Sequence, residues 1–289
     1  MELRQLKYFL KAKELMNFTE AANAMHISQS TLSQQIKQLE MEIDTPLFNR
    51  IGKRIQLTEA GNVFAEFAKK SVRSSEESLL AMHDLKKLSR GSLKIGVSYG
   101  LRSILVPAVK NFIQHYPQIN LEILFETTDI LLKKLSDAEL DLVLSYQEAH
   151  PAENFIYQNL FVSEMMFVTS ADSEFSKLKK INLKTIAELP LAMPFDGFST
   201  THYVMDLFKK NHISPNVKMK INDIPTLIEI VENGIFHTIL ADSTVNDRQN
   251  LVTIPITENK AERKAVLMQL KEAYQTEAMK SFSEMIIKI

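Results

Sequence analysis

Leu32, Ile36, Leu39 and Ile43 recur at helical spacing, and this stripe constrains the chain more than any other feature. Apolar residues spaced this way mark one buried face of a helix. At about 100° per residue, Ser30, Ser33, Gln34 and Lys37 gather on the opposite face. That face carries hydrogen-bonding groups and one cation, with no carboxylate. The preceding segments set its context. Glu2–Met16 spaces Leu3, Leu6, Phe9, Leu10 and Leu15 as an amphipathic helix. Asn17-Phe18-Thr19 breaks it with cap-forming residues. Glu20–Met25 is a short alanine-rich helix, and His26-Ile27-Ser28 is a turn in which Ser28 suits the N-cap of the next helix. A polar helix entered through a short turn from a short helix is the pattern of helix-turn-helix recognition. Serine and glutamine can bond base edges, and lysine can reach a phosphate.

The next residues extend that unit. Asp44-Thr45-Pro46 ends the helix. Leu47–Arg50 and Arg54–Leu57 are strand-like runs joined by Ile51-Gly52-Lys53 as a tight hairpin. Arg50, Lys53 and Arg54 therefore cluster at one turn, which predicts a basic wing lying along a phosphate backbone or dipping into the minor groove. With Thr58 as N-cap, a helical pattern then runs to about Leu88. Ala60, Val63, Phe64, Phe67, Val72, Leu79, Met82 and Leu85 supply its apolar seam. So long a seam exceeds what a head of this size can bury, so a partner helix is expected, and with it a two-fold assembly.

These blocks, in order, are Phe18-Thr-Glu-Ala-Ala, His26-Ile-Ser-Gln, Leu32-Ser-Gln-Gln-Ile-Lys-Gln-Leu-Glu, Pro46-Leu-Phe-Asn-Arg and Leu57-Thr-Glu-Ala-Gly. Over residues 1–62 the chain resembles the LysR-type transcriptional regulators. The resemblance implies a winged helix-turn-helix DNA-binding domain (1–58), a dimerisation linker helix (59–90) and an effector-binding domain (91–289). It implies DNA contacts at Gln29, Ser30, Thr31, Ser33, Gln34 and Lys37, and in the wing at Arg50, Lys53 and Arg54. Two positions depart from many relatives. Ser30 stands where proline is common, and Gln34 stands where arginine is common; a glutamine there suits adenine. Implied partners are double-stranded promoter DNA, a second copy or a tetramer of this chain, RNA polymerase and a small-molecule effector.

From Gly91 onward strands and helices alternate. Strands are expected at 121–126, 141–145, 165–169, 191–193, 217–221, 237–241, 251–256 and 264–270. Helices are expected at 102–115, 128–138, 183–188, 200–211, 224–233 and 274–287. Alternation predicts an α/β fold with a mostly parallel sheet. By resemblance it is a two-lobed domain similar to periplasmic solute-binding proteins, with lobes at about 91–161 plus 267–289 and 162–266. Ligands of open sheets bind beyond the strands' carboxyl ends, at helix N-termini. Three loops qualify: Ser98-Tyr99-Gly100, Thr127-Thr128, and Phe195–His202 with Phe198, Thr200 and Thr201. Their hydroxyl and N–H groups suit a small anion, although serine and threonine at helix starts also serve as plain caps. Tyr99, Tyr146, Phe195 and Phe198 are candidates for an aromatic wall or for core and rim positions. His202 stands where many relatives have arginine, and Phe236 replaces a common second glycine.

Composition narrows the alternatives. The chain has 289 residues, no cysteine and only seven glycines. Thiol nucleophiles, disulfides and cysteine metal sites are excluded. Neither a G-x-G-x-x-G nor a P-loop pattern occurs. Seven histidines, at 26, 83, 115, 150, 202, 212 and 237, read as surface or capping residues with no metal-ligand spacing. No catalytic residue, metal or cofactor is expected. Residues 1–90 hold 14 Lys and Arg against 11 Asp and Glu, so a mildly basic head precedes an acidic body. No apolar run approaches a membrane span, and the N-terminus lacks a secretory signal, so a cytoplasmic location is expected. The competing reading is a solute-binding module whose head makes protein contacts only.

Overall fold

The structure, a computed structural model, describes residues 1–51, 54–85, 91–148, 150–258 and 262–289; the side chains of residues 50, 51, 54, 80 and 83–85 lie outside that description. The chain forms two units, Met1–Leu88 and Ser89–Ile289.

The first unit opens with α1 (Leu3–Leu15), α2 (Phe18–Ala24) and α3 (Gln29–Glu42). The hairpin β1 (Phe48–Ile51) and β2 (Arg54–Leu57) and the long α4 (Glu59–Leu85) complete it. Each helix start is fixed chemically. Asn17 Oδ1 accepts from the Thr19 and Glu20 amides at 2.9 and 3.3 Å. Ser28 Oγ accepts from the Thr31 amide at 3.1 Å, and Thr58 Oγ1 from the Gly61 amide at 2.9 Å. Such caps satisfy amides that a helix cannot pair internally. Leu32, Ile36 and Leu39 are fully buried with Phe9, Ala12, Ala21 and Leu47. Phe9 meets Phe48 and Phe64 at centroid distances of 5.4 and 5.2 Å.

The expected seam of α4 divides into two faces. Phe64 and Val72, with Ala65 and Ala68, pack on the head core. Val63, Phe67, Leu79 and Met82 are exposed. The division follows from helix periodicity: residues 64, 65, 68 and 72 share one side, and 63 and 67 lie off it. Gly61 sits where α4 passes the β1 entry, and a Cβ there would come within 2.2 Å of the Leu47 carbonyl oxygen.

The second unit contains β3 (Gly91–Val97), α5 (Arg102–His115), β4 (Ile119–Phe125), α6 (Thr128–Ser136), β5 (Leu142–Tyr146) and β6 (Phe155–Ser170). It continues with α7 (Leu183–Glu188), β7 (Leu191–Pro194), α8 (Ser199–Lys210), β8 (Val217–Ile221) and α9 (Ile224–Glu232). Then come β9 (Thr238–Ala241), β10 (Leu251–Pro255), β11 (Glu262–Leu270) and α10 (Glu277–Ile287). Seven strands run β10-β6-β11-β5-β3-β4, with β9 also on β6, and β7-β8 form a separate parallel pair.

One expectation is corrected here. The large sheet is mixed, not mostly parallel. β3 pairs in parallel with β4 and β5, but β6 and β11 make only antiparallel pairs. The reason is β6, a 16-residue strand where a five-residue one was expected. Its first half alternates polar and apolar positions unevenly, which hid it. The expected lobe boundaries at 161/162 and 266/267 fall within β6 and β11. The β6–β11 register shifts beside them, between Ala265 and Val266. A bulge bends a strand locally, so these two strands carry the sheet across from one half to the other. One half uses β3, β4 and β5, and the other uses β9 and β10.

Candidate functional site

On α3, Gln29, Ser30, Thr31, Gln34 and Lys37 are exposed and Ser33 is half-buried. The stripe that buries Leu32, Ile36 and Leu39 forces this orientation. Ser28 Oγ lies 2.8 Å from Ser30 Oγ and 2.7 Å from Thr31 Oγ1, so the first turn is tied into one hydroxyl cluster. Sequence reasoning missed Glu40. Its Oε1 accepts from the Leu47 and Phe48 amides at 2.7 and 3.1 Å and fixes the hairpin to the end of α3. A carboxylate three residues beyond Lys37 gave no sign of that role. The hairpin pairs Arg50 with Ile55 and Ile51 with Arg54. The backbones of Arg50 and Arg54 are therefore at its tip, while their side chains, Gly52 and Lys53 lie outside the described residues.

In the second unit the three expected loops meet. Ser98, Tyr99, Gly100, Thr128, Tyr146, Phe198 and Thr200 line one cavity of about 20 Å³. That is space for about one water molecule. Several of its polar groups are already engaged. Thr128 Oγ1 is 2.8 Å from Ser145 Oγ, and both are buried. Tyr146 Oη is 2.7 Å from Ser243 Oγ, which donates to the Gly100 carbonyl at 3.0 Å. Burial pushes the Tyr146 phenol above its ordinary pKa. A Cβ on Gly100 would fall 2.8 Å from Tyr146 Oη, so the close approach of loop and ring requires glycine.

Two larger cavities flank this centre. One of about 550 Å³ is lined by Tyr99, Phe125, Phe195, Phe198 and the acids Glu126, Asp196 and Asp223. The other, of about 670 Å³, holds His202 with Gln147, Tyr203 and Arg263. Both lie within the range of small-molecule sites. Phe195 and His202 thus line different cavities. Thr201 is a correction: it is 1% exposed and its hydroxyl donates to the Pro194 carbonyl at 2.9 Å. It pins the start of α8 to β7 and lines none of these three cavities. The periodicity of α8 explains this, because Thr201, Val204 and Phe208 form its buried face.

His237 is a second correction. It is buried, not a surface residue, with Nδ1 2.8 Å from Thr169 Oγ1 and its ring against Phe167 and Phe175. Burial holds its imidazole below the ordinary pKa. Sequence reasoning also missed Arg263 and Ser243. Arg263 stands in phase with the buried Ala265 and Leu267 of β11, a pattern that marks an inward-facing cation. Among the described residues, no cluster of three metal-ligating side chains occurs, and no helix is long and apolar enough to cross a membrane.

Residues 3–62 match the family described as the bacterial regulatory helix-turn-helix protein, lysR family, and residues 86–288 match the LysR substrate binding domain. A probable RuBisCO transcriptional regulator of Thalassiosira pseudonana is 33% identical over 263 residues, 88% of this chain and 85% of the relative. The structure of a full-length OxyR variant from Pseudomonas aeruginosa shares the fold with a TM-score of 0.70 at 21% identity, over 99% of this chain and 94% of that one. Full-length CbnR, solved with its target DNA, gives 0.65 at 22% identity, over 100% and 99%. With both of its units matched, the chain belongs to the LysR-type transcriptional regulators, with a DNA-binding helix-turn-helix and an effector-binding domain.

Proposed function

We propose that the chain reads a double-stranded promoter site with α3 and controls transcription in response to a small molecule held in its second unit. The observation that carries this reading is the exposed, carboxylate-free face of Gln29, Ser30, Thr31, Gln34 and Lys37 on α3. Gln34 and the serines serve base edges there, and Lys37 a phosphate. Arg50, Lys53 and Arg54 add backbone contacts from the wing. Val63 and Phe67, 58% and 63% exposed on α4, support a homodimer or a tetramer built from dimers. Two-fold pairing suits a two-fold operator. The effector is a small molecule bound in a cavity beside the loops at Ser98, Thr128 and Phe198, and its binding alters how the protein holds or bends DNA. RNA polymerase contact, a cytoplasmic location and the absence of catalysis complete the proposal.

Duplex binding measured across a salt series tests it. The expected result is a linear fall of log affinity with log salt, with tighter binding to the cognate promoter fragment than to unrelated duplex. Lys37→Ala should weaken binding to every sequence and reduce the salt slope by about one. Failure to bind any duplex at low salt would leave the head as a protein-contact module.

A further inference from the structure

Among the described residues Arg263 is the one charged side chain that is buried, at 8% exposure. It enters from β11, opposite Ser163 of β6. Its guanidinium carbon lies 4.4 Å from the Tyr146 ring centroid and 5.9 Å from that of Tyr203. Nη2 donates to Ser199 Oγ at 3.0 Å. Nη1 is enclosed and has no acceptor. A buried guanidinium held only by a neutral hydroxyl and two ring faces is under-compensated. Burial lowers its pKa, and Tyr146 and Tyr203 offset that in part.

Arg263 also lines the cavity of about 670 Å³. Its fork is planar and suits bidentate pairing with a carboxylate. The same cavity is bordered by Asp129 and Glu148, both exposed. Burial, and then the charge of Asp129, hold the Glu148 carboxyl above its ordinary pKa. Glu262 and Lys264 line the wall too and offset one another in charge. A deep cation facing a pair of acids repels a polyanion and favours a molecule carrying both signs.

We infer that this cavity binds a small zwitterionic carboxylate of amino-acid type, its carboxylate on Arg263 and its ammonium toward Asp129 and Glu148. The inference rests on reading the second unit as effector-binding. It places the ligand's anionic end on Arg263 and not at the helix starts of Ser98 and Thr128. It also supplies a link to conformation. Ser199 begins α8, Tyr146 ends β5 and Arg263 belongs to β11. A carboxylate that displaces the Ser199 hydroxyl from the guanidinium exchanges a bond to a neutral acceptor for one between opposite charges and frees the start of α8.

The test uses the full-length chain, thermal melting and calorimetry. The probes are L-amino acids of each side-chain class, acetate and butyrate, and inorganic phosphate. At least one amino acid should raise the melting temperature, with the simple carboxylates and phosphate at least about tenfold weaker. Arg263→Met should keep or raise the melting temperature without ligand and lose the response. Glu148→Gln, at an exposed position, should weaken the amino acid by about two- to fivefold and leave acetate unaffected. Equal or tighter binding of phosphate or butyrate would overturn the inference. So would silence of the whole amino-acid panel with promoter binding intact, an outcome that leaves the proposed regulator standing. Loss of promoter binding by the unmodified chain would instead count against the regulator itself.

Discussion

The two units handle polar side chains in opposite ways. The head buries an apolar stripe on α3 and leaves Gln29, Gln34 and Lys37 in water, free to meet a rigid partner. The effector unit turns Thr128, Ser145, Tyr146, Ser243 and Arg263 inward and bonds most of them to each other. A surface that reads DNA needs little desolvation before contact. A pocket that senses a small molecule needs its groups held in place beforehand, and buried groups must find partners in the unliganded state. Arg263 stands apart because its partner set is incomplete, which is where a ligand has most to contribute.

The glycines give the largest way to separate the two units. At Gly61 an added methyl meets a backbone oxygen that cannot withdraw, whereas at Gly100 it meets the far end of the Tyr146 ring. Gly61→Ala should cost at least about 2 kcal/mol and abolish DNA binding, while Gly100→Ala should cost roughly 1 kcal/mol and leave DNA binding intact. Denaturant unfolding followed by duplex titration measures both. Loss of DNA binding by Gly100→Ala alone would show that the head depends on the effector unit.

A smaller effect follows from His237. Its folded-state pKa lies below the ordinary value of 6.5, so the unfolded chain takes up a proton before the native one does. The stability present above about pH 6.5 should therefore decline as pH falls through the folded-state pKa. Melting of the effector unit between pH 7 and 5 should show a decline that His237→Gln reduces. An identical decline in the variant would move the effect elsewhere.

The difference between the units also explains what was readable beforehand. The head's proposed reading surface is set by one helix, so the period of Leu32, Ile36 and Leu39 fixes which face Gln34 occupies. The effector loops were readable as helix starts, and seven of the ten expected residues do line one cavity. The remainder required long-range pairing. Arg263 meets Tyr146 only because β11 pairs with β5, and Ser243 reaches Gly100 from 143 residues away. Thr201 was misplaced because a helix start has an inner and an outer side, and the cap pattern alone does not say which. His237 was misread because a single histidine carries no period. The seam of α4 was read as one face although the long helix serves two, and among the described residues Phe64, Ala65, Ala68 and Val72 belong to the head.

The central claim is that the outward face of α3 reads sequence. Its most direct test is the affinity of Gln34→Ala, against the unmodified chain, for the promoter site and for variants changed one base pair at a time, at fixed salt. The account predicts that discrimination falls by about 1–3 kcal/mol at one position per half-site and stays unchanged elsewhere. Equal weakening on every duplex would contradict it.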